Sequence, residues 1–290
     1  MRQFNEDTLT AAVVARLKDT KDKRFREIMT SAVKHLHAFA REVHLTEEEW
    51  FEGIKFLTAV GQKCDDKRQE FILLSDILGL SMMVCALNHK SAPGATEATV
   101  LGPFFAHGAK EYEYDGDLRE GCTVKGEDTL VSGRVLTTAG KPIPNATLDI
   151  WHGEFELRGR VKVNAKGEFA FKSYKPKFYS VPDDGPVGEL LRATGNHKMR
   201  PAHMHAVVSA PGYQQVITHV FVEGDPYLDD DAVYAVKNSL VGKYRKLSNA
   251  AEAKKLGMSN PFLKLEWDFH LAPQAGVKAR KVIAPSDAVA

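Results

Sequence analysis

Apolar residues recur at three- and four-residue steps through the first third of the chain and at alternate residues through much of the rest. Ile28, Met29, Ala32, Val33, Leu36, Phe39 and Val43 mark one side of a helix. Thr46 followed by Glu49 has the form of a capping box, in which the hydroxyl takes one orphan N–H and the carboxylate reaches back to another. Trp50, Ile54, Leu57 and Val60 then form that helix's apolar stripe. A third helix is predicted over about residues 67–87, with Phe71, Leu74, Leu78 and Met82 inward, ending at Ser91-Ala92-Pro93-Gly94.

From Val100 the period changes. Residues 131–135, 146–151, 160–163, 168–173, 204–209 and 215–222 read as short strands, and 262–271 as a late one. Asn164-Ala165-Lys166-Gly167 predicts a hairpin turn. Residues 230–240 predict a short helix capped by Asp229-Asp230-Asp231. The pattern predicts an α+β protein: a helical N-terminal domain (1–99), an antiparallel β-sandwich (100–273) and a loosely held tail (274–290).

Composition narrows the classes of function. A hydrophobic content of 43% and a charged content of 27% are ordinary for a soluble protein. A net charge of +1 speaks against nucleic acid or an anionic membrane as the main partner. No apolar run could span a bilayer, and the first residues have no signal-peptide core. Three scattered cysteines fit reduced thiols, so a cytoplasmic enzyme is expected.

The candidate chemistry lies in Arg200-Pro201-Ala202-His203-Met204-His205. Side chains at i and i+2 of a strand leave the same face, so His203 and His205 can share a metal. Tyr179 is a candidate third ligand, and a phenolate with imidazoles suits oxidised iron better than zinc or calcium. A cupin-type Fe(II) centre needs a carboxylate three or four residues after the second histidine, where this chain has Val208 and Ser209.

The stretch from Arg200 to Asp231, with Leu101-Gly102-Pro103-Phe104 and Asp183-Asp184-Gly185-Pro186, resembles the intradiol aromatic-ring dioxygenases. Gly61-Gln62 and Glu70-Phe71-Ile72-Leu73-Leu74-Ser75-Asp76 are most similar to the hydroxyquinol 1,2-dioxygenase branch. The resemblance covers nearly the whole chain. It implies a helical domain used partly for homodimerisation, a catalytic β-sandwich, and Fe(III) held by two tyrosines and two histidines. It implies cleavage, with O2, of a small aromatic diol between its two hydroxylated carbons. Hydroxyquinol would give 3-hydroxy-cis,cis-muconate, which tautomerises to maleylacetate. Catechol is the alternative substrate.

Residue by residue, the second tyrosine ligand matches Tyr179 and the histidines match His203 and His205. Arg200 would stabilise negative charge on the ring. His219 would be a neighbour of the ligands, in reach of Tyr179 or a substrate oxygen, or else a satisfied core histidine. The substrate pocket would comprise Leu73, Asp76, Val100, Leu101, Gly102, Pro103, Phe104, Val181, Pro182, Arg200 and Val233. Asp76 would accept a hydrogen bond from a third ring hydroxyl, or pair with Arg68 or Lys67.

The first tyrosine ligand has no match, because the loop that carries it in the family is shortened here by more than a dozen residues. Trp151-His152-Gly153-Glu154-Phe155-Glu156 runs straight into Leu157-Arg158-Gly159-Arg160, and no tyrosine lies between Trp151 and Tyr174. Three readings stay open. The protein is impaired or non-catalytic, a metal-poor sandwich dimer. Another residue supplies the ligand, with His152 and Glu154 nearest. Or the natural protein carries residues that this sequence does not.

Overall fold

The computed structural model describes residues 3–66, 68–102, 104–153 and 157–274. Lys67, Pro103, Glu154 and the tail from residue 275 therefore lie outside the described residues. The chain divides into two compact units between Ala59 and Val60.

The first unit is helical: α1 (Leu9–Arg16), α2 (Lys23–Glu42) and most of α3 (Glu47–Gln62). Helix α2 begins where the Asp22 carboxylate accepts from the backbone N–H groups of Arg24 (2.8 Å) and Phe25 (3.0 Å). The capping box of α3 is present, with Glu49 N–H donating to Thr46 Oγ1 (3.2 Å) and Thr46 N–H donating to Glu49 Oε2 (3.0 Å). The apolar stripes are not covered as expected. Leu36, Phe39, Trp50, Ile54 and Leu57 are all exposed, because three helices present more apolar face than they bury among themselves.

The second unit opens with α4 (Glu70–Ile77) and α5 (Leu80–Asn88) instead of one helix. Gly79 breaks the run with a left-handed backbone, φ +71°, which glycine enters without steric cost. The break turns Phe71 and Leu78 outward and buries Leu73, Leu74, Asp76 and Ile77.

Two six-stranded sheets follow. One runs β1 (Glu111–Tyr112), β5 (Leu157–Lys162), β4 (Thr147–His152), β9 (His203–Ser209), β10 (Val216–Val222), β11 (Val241–Gly242). The other runs β12 (Arg245–Leu247), β13 (Phe262–Glu266), β3 (Asp128–Thr137), β6 (Glu168–Tyr174), β2 (Asp115–Asp117), with β14 (Phe269–Leu271) also on β3. β7 (Tyr179–Ser180) and β8 (Met199–Arg200) form a separate pair. The central pairs of the first sheet, β4 with β5 and β9 and β9 with β10, are antiparallel. Parallel pairings, such as β1 with β5 and β10 with β11, add edges that alternation alone does not reveal. Helices α6 (Pro186–Ala193) and α7 (Ala250–Leu256) complete the unit.

The core lies between the sheets. Leu148, Ile150, Met204, Ala206, Val208 and Val220 of the first meet Val131, Val135, Phe169, Phe171 and Phe269 of the second. Three local expectations are corrected. Asn164–Gly167 is a tight turn, but β5 and β6 belong to different sheets, so it is a corner between layers and no hairpin. The late strand breaks at Trp267-Asp268 into β13 and β14. Residues 230–240 hold only a 3₁₀ turn, Asn238–Leu240, because Asp231 is buried in an ion pair and caps no helix. Among the described residues no single helix is long and apolar enough to cross a membrane.

Glu70 ties α4 to α6. It is fully buried, pairs with Arg68 (2.7 Å), and its Oε1 accepts the N–H of Val187 (3.2 Å). Glu70→Ala strands that N–H and leaves Arg68 with only the exposed Asp184. Urea unfolding of the variant should show a loss of about 3 kcal/mol; an unchanged midpoint would contradict this role.

Candidate metal centre

Strand parity builds the site. On β9 the side chains of Met204, Ala206 and Val208 enter the core, so His203 and His205 leave by the opposite face. β4 pairs Trp151 with His205, and β10 pairs His219 with His205 and Phe221 with His203. All five rings therefore share that outer face. The Trp151 and His205 rings stack at 4.6 Å with a 9° tilt. Gly102 approaches so closely that a Cβ there would lie 2.8 Å from His205 Cε1. Only glycine, here at φ +80°, gives room for the imidazole.

The second face of the site comes from β7 and β8. Tyr179 is directly opposite Arg200 in that ladder. Arg200 Nη1 donates to Tyr179 Oη (3.3 Å) and to His203 Nε2 (3.3 Å). Its other side is gripped by Asp231, with Nε to Oδ1 at 3.0 Å and Nη2 to Oδ2 at 3.2 Å. Asp231 is held in turn by the N–H groups of Val233 and Ala235. A bidentate pair of this kind fixes the guanidinium plane.

His203 Nδ1 lies 2.7 Å from the Pro201 carbonyl, an acceptor, so Nδ1 carries the proton and Nε2 keeps its lone pair. That Nε2 lies 3.2 Å from His205 Nε2 and 3.5 Å from Tyr179 Oη. Burial, reinforced by the charge of Arg200, pulls both imidazoles well below the ordinary histidine range. They are neutral near pH 7, the state a metal requires. Burial raises the Tyr179 phenol, against the pull of Arg200. Burial alone would lower Arg200, yet Tyr179 and Asp231 hold it above its ordinary value. Two imidazole nitrogens and a phenol oxygen thus converge beside a fixed cation. The donor set fits a hard, oxidised metal, and His205 Nδ1 and His219 Nε2, buried and without a hydrogen-bond partner among the described residues, mark unmet polar capacity around it.

The remaining candidates distribute as follows. Asp76 is buried, and desolvation lifts its carboxyl to about 6, against a hydrogen bond with Ser81 and the charge of Arg200. Its pairing with Arg68 is overturned, since Arg68 binds Glu70 and Asp184; Lys67 lies outside the described residues. Phe104 brings its ring to 6.3 Å from Tyr179. Leu73, Val181 and Val233 are buried; Val100, Leu101 and Gly102 are partly so. Pro182 is exposed, and Pro103 is not described. His219 Nδ1 bonds Thr99 Oγ1, not Tyr179. A groove of about 380 Å³ beside Lys175, Phe178 and Asp225 contains none of the candidate site residues.

His152 is removed as a ligand. Parity on β4 sends it into the sandwich, where Nε2 bonds Ser173 Oγ (2.7 Å). Glu154 lies outside the described residues. Asp231, Thr99 and Trp151 are contributors that the sequence did not mark as such. Only Trp151 had a signal in the sequence, through the register that the β9 alternation imposes on β4; Asp231 and Thr99 lie outside the strands.

Two family models match this chain: "Dioxygenase" over residues 100–273 and "Catechol dioxygenase N terminus" over residues 22–96. The 6-chlorohydroxyquinol 1,2-dioxygenase of Cupriavidus pinatubonensis is 46% identical over 287 aligned positions, spanning 94% of this chain and 99% of that protein. Since 94% of 290 residues is about 273, at least a dozen of the 287 positions have no counterpart here. A hydroxyquinol 1,2-dioxygenase from a Rhizobium species is 44% identical, covering 93% of this chain and 96% of that one. The crystal structure of a Pseudomonas putida hydroxyquinol 1,2-dioxygenase superposes with a TM-score of 0.85 at 44% identity, covering 93% and 99% of the two chains.

The buried, uncharged His152 makes a separate prediction about acid stability. Burial pushes its pKa down to about 4, against 6.5 when unfolded. The unfolded chain takes up the proton first, so stability is fully present above pH 6.5 and declines as pH falls towards 4, by ~1.4 kcal/mol per unit. Between pH 7 and pH 5 the stability gap between wild type and His152→Gln should move by about 2 kcal/mol in favour of the variant. Parallel losses in the two proteins would contradict the assignment.

Proposed function

The chain belongs to the intradiol ring-cleavage dioxygenases, a non-haem iron family, and from that membership we propose that it cleaves hydroxyquinol with O2 at an Fe(III) centre held by Tyr179, His203 and His205. The observation that carries the reading is the convergence of three donor atoms, His203 Nε2, His205 Nε2 and Tyr179 Oη, beside the fixed guanidinium of Arg200. Relatives named for hydroxyquinol or its 6-chloro form, matched over almost their full length, support the substrate class.

When bound, the iron supplies the Lewis acidity that makes the ring hydroxyls easier to deprotonate. The chain does the rest. Burial raises the free Tyr179 phenol and the charge of Arg200 works against that rise; as phenolate, Tyr179 would be the base for a diol proton. The guanidinium, which Asp231 keeps from turning, lies where negative charge spreads over the ring. Asp76 ionises above about pH 6 and there accepts a hydrogen bond from the third hydroxyl that hydroxyquinol has and catechol lacks. Phe104, Leu73, Val181 and Val233 give the ring an apolar setting. The C–C bond between the two hydroxylated carbons breaks, and both oxygen atoms of O2 enter the ring-opened diacid.

The protein acts, on this reading, as a cytoplasmic homodimer. Cys64, Cys85 and Cys122 form no disulfide among the described residues, which suits a reducing compartment. The exposed Leu36, Phe39, Trp50, Phe51, Ile54 and Leu57 in α2 and α3 form apolar faces of the kind that a second copy covers.

Oxygen uptake with hydroxyquinol, followed by detection of maleylacetate, tests the activity. Iron-loaded protein should show a tyrosinate-to-Fe(III) band weaker than two phenolates give, and Tyr179→Phe should abolish it. A colourless zinc or ferrous site, or a band that survives Tyr179→Phe, would contradict the assignment. Asp76→Asn should cut kcat/KM for hydroxyquinol by about 10- to 100-fold, the worth of one hydrogen bond to a charged group, and spare catechol. An equal loss on both substrates would reject Asp76 as the reader of the third hydroxyl.

A further inference from the structure

The missing tyrosine leaves a coordination deficit, and on the same face of the sheet as His203 and His205 lies a third buried imidazole, outside the ligand set proposed above. His219 is fully buried. It faces His205 across the β9–β10 ladder, with ring centroids 4.1 Å from His205 and 4.7 Å from His203. One ligating nitrogen from each of the three histidines lies within 4.8 Å of the other two. Thr99 Oγ1 is bonded to His219 Nδ1, and the Thr99 backbone is itself pinned by its N–H to Ile217 O (2.9 Å). Nε2 is left buried with no hydrogen-bond partner among the described residues. A neutral imidazole whose Nδ1–H is donated to a hydroxyl presents a bare Nε2 lone pair, the form a metal takes.

We propose that His219 Nε2 is a direct iron ligand, so that three imidazoles and one phenolate replace the two imidazoles and two phenolates that the family resemblance implies. The proposal rests on the iron site argued above and deepens it. The other substitutes are weaker: His152 points into the core on the opposite face of the sheet, bonded to Ser173. Exchanging a phenolate for an imidazole leaves the centre one positive charge higher. Its colour then rests on Tyr179 alone. Thr99 is a positioning residue: its hydroxyl bonds Nδ1, and a metal on Nε2 would fix Nδ1–H as the donor in that bond.

X-ray absorption at the iron edge of the loaded, full-length wild type counts imidazoles without needing a variant. Three per iron are expected. His219→Gly should show two, with iron affinity lowered more than the ~10- to 100-fold that loss of an outer hydrogen-bond partner brings, and added imidazole should restore both the count and the affinity. Thr99→Val, which removes only the orienting hydroxyl, should stay within that ~10- to 100-fold range. Two imidazoles in the wild type, unchanged in His219→Gly, would overturn the proposal and leave the assignment of His203, His205 and Tyr179 standing. Iron retained undiminished in His203→Ala would strike at that underlying assignment, and at this proposal with it.

Discussion

The pleat of β9 couples the chemistry of this protein to its core. Met204, Ala206 and Val208 are locked between two sheets, and the same alternation turns His203 and His205 to the other face. A slip of one residue would put imidazoles into the sandwich and methyl groups at the site, so the apolar packing of one face specifies the register of the other. The neighbouring strands inherit that register. Trp151 arrives as a stacking partner for His205, and His219 as its cross-strand neighbour, because β4 and β10 have no freedom to present other residues there.

Burial gives the site its electrostatic character. Three buried imidazoles and a buried guanidinium adjoin the partly buried phenol of Tyr179. Desolvation keeps the histidines neutral, and the positive charge of Arg200 acts in the same direction. Arg200 itself is affordable there only because Asp231 grips it with two contacts and is in turn held by backbone N–H groups. Removing either partner would strand a buried charge. The arrangement leaves lone pairs facing inward and a fixed cation beside them, a setting in which an anionic aromatic ring is favoured over a neutral one.

Much of this was legible in the residues, for identifiable reasons. The strand pattern over 204–209, the box Thr46–Glu49 and the change of period near residue 100 are local signals, and the corresponding elements are present. The helix split at Gly79 was missed because periodicity averages over a single glycine whose φ is set by its surroundings. The corner at Asn164–Gly167 resembled a hairpin because turn chemistry does not say which sheet receives the next strand. Asp231 looked like a helix cap; its grip on Arg200, 31 residues away, depends on tertiary contact alone. His152, the nearest histidine to the shortened loop, was excluded by parity once its strand was fixed.

The account turns on three donor atoms sharing one ion. Crystals of the iron-loaded protein, measured on both sides of the iron absorption edge, test this most directly. A single anomalous peak within bonding distance of Tyr179 Oη, His203 Nε2 and His205 Nε2 is the result the account predicts. Iron located elsewhere, with those three side chains turned away from any common point, would contradict it.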